Sequence, residues 1–349
     1  MNEETLNALV GQILQDLGGA ASTPLVRIGD QLGIYRALRD TQPMTSSELA
    51  QRTGLAERYL REWLSAQAAS GYVCCDADAG TFWLSPEQVA IFADEDSPTF
   101  LTPAFDAVAA YLGNQDTVAE GFRSGDGVGW GDQTECLFCA VAKFFRPGYE
   151  ANLVESWLPA LDGIVGKLER GINVADVGCG HGLSTVIMAR AFPNSQFTGF
   201  DFHEGSIVEA RGHAKKHDLR NLKFEVALAK EYPGTYDFVC IFDCLHDMGD
   251  PVGAMAHVHS SLVSDGTCMV VEPQAGDSLE QNLNPIGRLF YSASTMVCVP
   301  TSLSQEVGAA LGAQAGERRL REVMVDGGGF NQFRRATETP FNMVLELRP

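Results

Sequence analysis

Between Ile172 and Phe192 the chain sets an apolar run, a glycine-rich turn and a helical pattern directly one after another. The run Ile172 to Val177 reads as a buried strand. The turn is Asp176-Val177-Gly178-Cys179-Gly180-His181-Gly182, and Leu183 to Phe192 carries the helical pattern. Strand, glycine turn and helix in this order bring backbone N–H groups up to a ligand at the helix N-terminus, where glycines allow close approach. The spacing is G-x-G-x-G, with Leu183 where the dinucleotide fingerprint places its third glycine. Asp176, two positions before the first glycine, suits a positively charged ligand better than a pyrophosphate.

That combination favours S-adenosylmethionine (SAM) over NAD. Here the chain resembles the class I SAM-dependent methyltransferases, whose first motif reads acid-x-G-x-G-x-G. The strands that follow fit the resemblance. Gln196 to Asp201 ends in a carboxylate able to accept from both ribose hydroxyls, the position where the family has its ribose-binding residue. Leu222 to Ala227 ends in Ala227-Leu228, where many relatives carry an adenine-reading Asp; the expected contact here is backbone or apolar. Tyr236 to Phe242 leads into Asp243-Cys244-Leu245-His246-Asp247, and Thr267 to Glu272 ends in Glu272-Pro273. Strands alternating with helical stretches predict an α/β fold with a doubly wound, mostly parallel sheet, ligands gathering at the strands' carboxyl ends. The resemblance implies seven strands, closed by an antiparallel Phe341 to Leu347. It also implies that Asp176, Gly178, Gly180 and Gly182 seat the methionine end of SAM, Asp201 the ribose and Phe202 the adenine. Ala227, Leu228 and Asp243 complete the expected cofactor set.

A chain of 349 residues, 45% hydrophobic, can bury a full core and predicts two domains. Its start, Met1-Asn2-Glu3-Glu4, has no signal-peptide character, and no apolar segment is long enough to span a bilayer. Nine cysteines without an export signal are expected as reduced thiols in the cytoplasm. The formal charge of −20 repels nucleic-acid phosphates and anionic membranes, leaving a small-molecule partner.

The first third has its own organisation. Leu25 to Leu38 is helical, Met44 to Ala50 opens a short capped helix, and Ala56 to Ser70 forms a longer one. Two β-like runs, Gly71 to Cys75 and Thr81 to Leu84, flank Asp76-Ala77-Asp78-Ala79-Gly80. This is the order of a winged helix. DNA reading is not expected: Arg58 and Arg61 sit beside Glu57 and Glu62, and the wing tip carries Asp76 and Asp78 where a phosphate contact needs a base. A winged helix ahead of a SAM domain resembles small-molecule O-methyltransferases and a bacterial group of methyltransferases with largely unassigned substrates. In the former it serves dimerisation, which implies a homodimer.

The predicted domains are a winged-helix dimerisation domain over 1–95, linker helices over 96–165 and the SAM-binding domain over 166–349. Within the linker, Phe100 to Arg123 and Thr134 to Leu168 read as helical around the loop Gly125 to Gly131, with Pro147-Gly148 breaking the second. Phe138, Phe144, Phe145, Tyr149 and Trp157 are candidates for lining an acceptor pocket or for helix-packing core. Asn282 to Val299 reads as a helical insertion.

Methyl transfer needs an acceptor lone pair in line with an already activated methyl carbon. A hydroxyl acceptor also gains from a base. His246 is the candidate catalytic base: Leu245 to Asp250 resembles the His-Asp-Trp segment of aromatic O-methyltransferases, whose His is the general base. Glu272 falls where that family has the carboxylate orienting the His. Met248 replaces the family's Trp, and Phe242 stands where plant members have a Lys. O-methylation of an aromatic or apolar hydroxyl compound is the favoured reading, yielding S-adenosylhomocysteine (SAH). N- or C-methylation by proximity, and a SAM-binding regulator, remain open.

No metal is expected. Catechol-type enzymes hold Mg²⁺ partly through an Asp-Asn pair, which this sequence lacks, and Cys136-x-x-Cys139 has no second pair. Asp326 to Phe330 reads as a turn after the sixth strand, Arg334 and Arg335 as part of a solvated loop, and His203, His213, His217, His257 and His259 as exposed.

Overall fold

The computed structural model describes residues 1–349 except for the side chains of Glu135 and Cys136, so the Cys136–Cys139 pair lies outside the described residues. The chain forms two compact units. One comprises Met1–Leu112 with Cys139–Gly148, the other Gly113–Phe138 with Tyr149–Pro349.

The first unit begins with α1 (Glu3–Gln31), where the Asn2 side chain accepts from the Thr5 amide. α1 starts well before Leu25 and is separated from α2 (Ile34–Leu38) by Gly33 in a left-handed conformation. The earlier turns carry leucines that stay on the surface, so no core periodicity marked them. β1 (Met44–Thr45) leads into α3 (Ser46–Thr53), which opens with a reciprocal capping box between Thr45 and Glu48. Then come α4 (Glu57–Ala69), β2 (Cys74–Asp76), β3 (Thr81–Trp83) and α5 (Pro86–Phe92). The small sheet has the order β1-β3-β2. Val26, Tyr35, Leu49, Leu60, Trp63 and Phe92 form its core. Tyr35 stays polar-satisfied there by donating to Gln67 Oε1 at 2.5 Å.

Two helices, α6 (Thr102–Ser124) and α7 (Glu135–Asn152), contribute residues to both units. α7 runs through Pro147 instead of breaking there. A proline removes one amide donor, yet the helix continues through it, and a separate π-turn follows at Leu153–Trp157, where Leu153 and Trp157 are buried.

The second unit continues with α8 (Leu158–Ala160), α9 (Ile164–Arg170), β4 (Asn173–Val177), α10 (Leu183–Ala191), β5 (Gln196–Asp201), α11 (Glu204–Lys216) and β6 (Leu222–Val226). It goes on through β7 (Tyr236–Phe242), α12 (Pro251–Ser261), β8 (Leu262–Pro273), α13 (Pro285–Ala293) and α14 (Val299–Leu303), the last two joined by a π-turn at Ser294–Cys298. α15 (Gly316–Arg321), β9 (Gln332–Glu338) and β10 (Asn342–Arg348) complete it.

The seven strands lie in the order β6-β5-β4-β7-β8-β10-β9. All pairs up to β8 are parallel; β10 is antiparallel to β8 and β9. β4, β5 and β7 are buried almost end to end, as befits parallel strands covered on both faces. Strand order reverses at β4, between β5 and β7, which places the ligand crevice beyond its carboxyl end.

Three expectations need correction. The Asp326 to Phe330 stretch precedes the sixth strand, β9: Asp326 and Gly327 close a π-helical segment, and Gly328 to Phe330 lead towards the strand. Arg334 and Arg335 lie in β9: Arg334 pairs with Glu346, a carboxylate only 3% exposed, and Arg335 with Glu317 and Glu338. A buried carboxylate needs such a cation, and β10 supplied Glu346 from another strand. His203, His213, His257 and His259 are half-buried and each has a partner; only His217 is exposed. Among the described residues no helix is long and apolar enough to cross a membrane.

Candidate active site

The carboxyl end of β4 turns sharply through Gly178, Gly180 and Gly182, all at positive φ. The amides of Gly178 and Cys179 donate to the Phe200 carbonyl at 2.8 and 2.9 Å, tying the turn to β5. A Cβ on Gly182 would enter the Phe224 ring, so this glycine serves packing. Gly180 is different: a Cβ there would meet nothing within 4 Å, so its backbone faces open space.

Asp176 is fully buried beneath this turn. Its Oδ2 accepts from Ser184 Oγ at 2.8 Å and Thr185 Oγ1 at 2.6 Å, at the start of α10, while Oδ1 has no protein partner. Burial pushes its carboxyl up to about 6, against the pull of those two hydroxyls. Asp201 stands at the end of β5, with Oδ2 accepting from the Gly180 amide at 2.9 Å and Oδ1 from the His203 amide at 2.8 Å. Each oxygen keeps a second lone pair for a ligand hydroxyl. Phe202 is 46% exposed and Leu228 45%; Ala227 donates its amide to the Asp201 carbonyl at 3.0 Å.

Beyond β7, Asp243 takes a left-handed backbone, φ 49. Both its oxygens have protein partners: Tyr149 donates to Oδ2 and Asn342 Nδ2 to Oδ1, each at 2.8 Å. Burial raises its carboxyl to about 7, with the Tyr149 bond opposing. His246 follows on a short 3-10 turn, Leu245–Asp247. Its Nδ1 lies 2.6 Å from Glu272 Oε2, while Glu272 Oε1 accepts the Leu245 amide at 3.0 Å. Its Nε2 faces Asp247 Oδ1 at 3.2 Å, and the Cys298 thiol lies beside the same pair. His246 and Glu272 are 4% and 1% exposed. Burial works to lower the His246 pKa, but the Glu272 and Asp247 charges overcome it and hold it well above the ordinary value. Ligating atoms of His246, Asp247 and Cys298 lie within 4.8 Å of one another, a set able to move a proton or to hold a borderline-soft cation.

The expected residues thus fall at the carboxyl ends of neighbouring strands, β4, β5, β6, β7 and β8. The partners that hold them were not anticipated. Ser184 and Thr185 follow the glycine turn directly, which was a usable signal. Tyr149 and Asn342 for Asp243, and Cys298 for His246, lie dozens of residues from what they touch, with no local pattern to mark them.

This fold and site define a class I SAM-methyltransferase fold with an N-terminal winged-helix domain. Residues 168–327 match the family model described as a methyltransferase domain, and residues 20–93 the Rv2258c-like winged HTH domain. The ubiquinone biosynthesis O-methyltransferase of Leptothrix cholodnii is 32% identical over 127 residues, 35% of this chain and 51% of that protein. The chain spans about half the length of the curated relatives it matches. Along its full length the fold is similar to mitomycin 7-O-methyltransferase MmcR, with TM-score 0.69, 19% identity and 100% of both chains covered. It is likewise similar to human N-acetylserotonin methyltransferase, solved with SAM, with TM-score 0.69, 17% identity and 97% of each chain covered. At such identities the likeness is one of fold.

Proposed function

We propose that the chain transfers a methyl group from SAM to the hydroxyl of a small aromatic or apolar compound, with His246 as general base. The observation that carries this reading is the buried Glu272–His246 pair at the sheet's switch point, one strand from a glycine turn with open space at Gly180.

The residues fit SAM. Gly180 offers backbone approach, Asp201 has lone pairs for the ribose, and exposed Phe202 and Leu228 offer apolar faces for adenine. Asp176 acts through the turn: its bonds to Ser184 and Thr185 hold the start of α10 in place. When bound, SAM supplies an electrophilic methyl on a sulfonium. An acceptor oxygen would take that methyl, with the C–S electron pair passing to sulfur and SAH as the leaving product. The acceptor proton passes to His246 Nε2. With Nδ1–H donating to Glu272, the neutral tautomer presents Nε2 as acceptor. Glu272 and Asp247 hold its proton affinity well above the ordinary value, so near neutral pH the ring is mostly imidazolium and accepts the proton only in its deprotonated fraction, which makes turnover rise with pH.

The acceptor is small-molecule and not nucleic acid. On α4, Arg61 pairs with Glu57 and Arg58 with Glu62, so the helix that would read DNA neutralises its own cations. A homodimer is proposed from α1, where Leu6, Leu9, Val10, Ile13, Leu14 and Leu17 are each at least 43% exposed. The eight described cysteines are free thiols, the state a reducing cytoplasm maintains.

The test is transfer of labelled methyl from SAM into a phenol panel by wild type and His246→Ala. Label in the wild-type products, largely lost in the variant with SAM binding intact, supports the reading. Equal transfer by the variant removes His246 as base and leaves methylation by proximity alone.

A further inference from the structure

We propose that residues 125–131 form a strap across the cofactor crevice, latched by the stack Trp130–Phe138–His203, which sets how fast SAH leaves. This rests on the SAM site proposed above.

The strap has two anchors. At one end, the Val128 amide donates to the Pro300 carbonyl at 2.9 Å, and Val128 is 5% exposed. Gly127 lies against the backbone of Pro300 and Ser304 so closely that a Cβ would overlap both. This part of α14 is joined to the His246 turn, because Ser302 Oγ donates to the Met248 carbonyl at 2.8 Å. At the other end, the Phe138 ring lies 5.1 Å from the His203 ring and 5.1 Å from Trp130. His203 is the residue whose amide binds Asp201, and its Nδ1 is held by Ser206, so its ring is fixed beside the ribose carboxylate.

The first anchor stands beyond β7 and the second beyond β5, and β4 lies between those strands. Two strand spacings amount to roughly 10 Å; the two residues from Val128 to Trp130 reach about 7 Å of this, and the Trp130, Phe138 and His203 rings, with centroids 5.1 Å apart at each step, complete the crossing. The strap therefore runs from the base side to the ribose side of the β4 glycine turn. The root of α7 behind it is fixed as well, because Asn114 Oδ1 accepts the Thr134 amide at 3.1 Å. Aromatic contacts of this kind are individually modest, so the latch is strong enough to retain a ligand and weak enough to open each turnover.

The experiment measures release of labelled SAH by rapid dilution from wild type, Phe138→Leu, Trp130→Ala and Gly127→Val. Circular dichroism and ligand-free melting confirm that each folds. The strap predicts release about tenfold faster in the latch variants, and also in Gly127→Val, which attacks the opposite anchor. Wild-type release rates in all folded variants overturn the strap while leaving the SAM site intact. Failure of wild type itself to retain SAH overturns the site and the strap together.

Discussion

Glu272 holds His246 at two points: Oε2 lies 2.6 Å from the ring Nδ1, and Oε1 accepts the amide of the residue before it. One buried carboxylate thereby sets both the tautomer of the imidazole and the path of the turn that carries it. His246→Gln is expected to lower kcat by about 10²–10⁴ with SAH affinity unchanged by calorimetry. Glu272→Gln keeps the Leu245 contact and is expected to lower the apparent pKa of the rising limb of kcat/KM, since the main charge raising the His246 pKa is gone. An unmoved pH profile would count against the pairing.

Asp201→Ala should weaken SAH binding by about 10–100-fold, the worth of lost charge-assisted hydrogen bonds. Part of the loss comes from the protein, because the Gly180 and His203 amides lose their acceptor. Comparing ligand-free melting with calorimetric affinity separates the two, and affinity unchanged in a folded variant would remove the ribose role.

Asp243 predicts a pH-dependent stability. Its carboxyl titrates near 7 in the fold against an ordinary value of 3.8. The folded state therefore binds the proton more tightly, so stability falls as pH rises between those values, by on the order of 4 kcal/mol in all. Asp243→Asn removes this term, and its amide still has Tyr149 and Asn342 as partners. Denaturation midpoints at pH 5 and pH 8 should converge in the variant relative to wild type. An unchanged difference would show that the slope arises elsewhere.

Gly182→Ala should destabilise by at least about 1–3 kcal/mol, from overpacking against Phe224 with backbone strain added. The double variant Gly182→Ala/Phe224→Leu should recover part of that loss if the ring is the obstacle. Urea midpoints of the two decide it.

On α1, the paired change Leu9→Glu/Ile13→Glu places charge on an exposed apolar face. Light scattering is expected to show a dimer for wild type and a monomer for the variant. A wild-type monomer would refute the dimer.

The order of strands and helices from β4 onward was legible because parallel strands buried on both faces are near-continuous apolar runs, and glycine turns mark their ends. Gln196–Asp201 and Tyr236–Phe242 coincide with the expected ranges. The start of α1 and the continuity of α7 were not legible. The first turns of α1 bury little against this chain, and Pro147 is tolerated because its neighbours carry the helix past it.

The same division runs through the site. Local sequence by itself determined where the glycine turn falls, that Asp201 ends its strand, and that His246 lies one turn past another. Such positions follow from strand ends, which are local. Only the tertiary structure decided what each side chain is doing there: Asp176 facing Ser184 and Thr185, Asp243 consumed by Tyr149 and Asn342, His246 clasped by Glu272 beside Cys298. Those pairings join residues far apart in the chain, and their pKa shifts come from burial and from neighbouring charge. Both exist only once the sheet has closed around them.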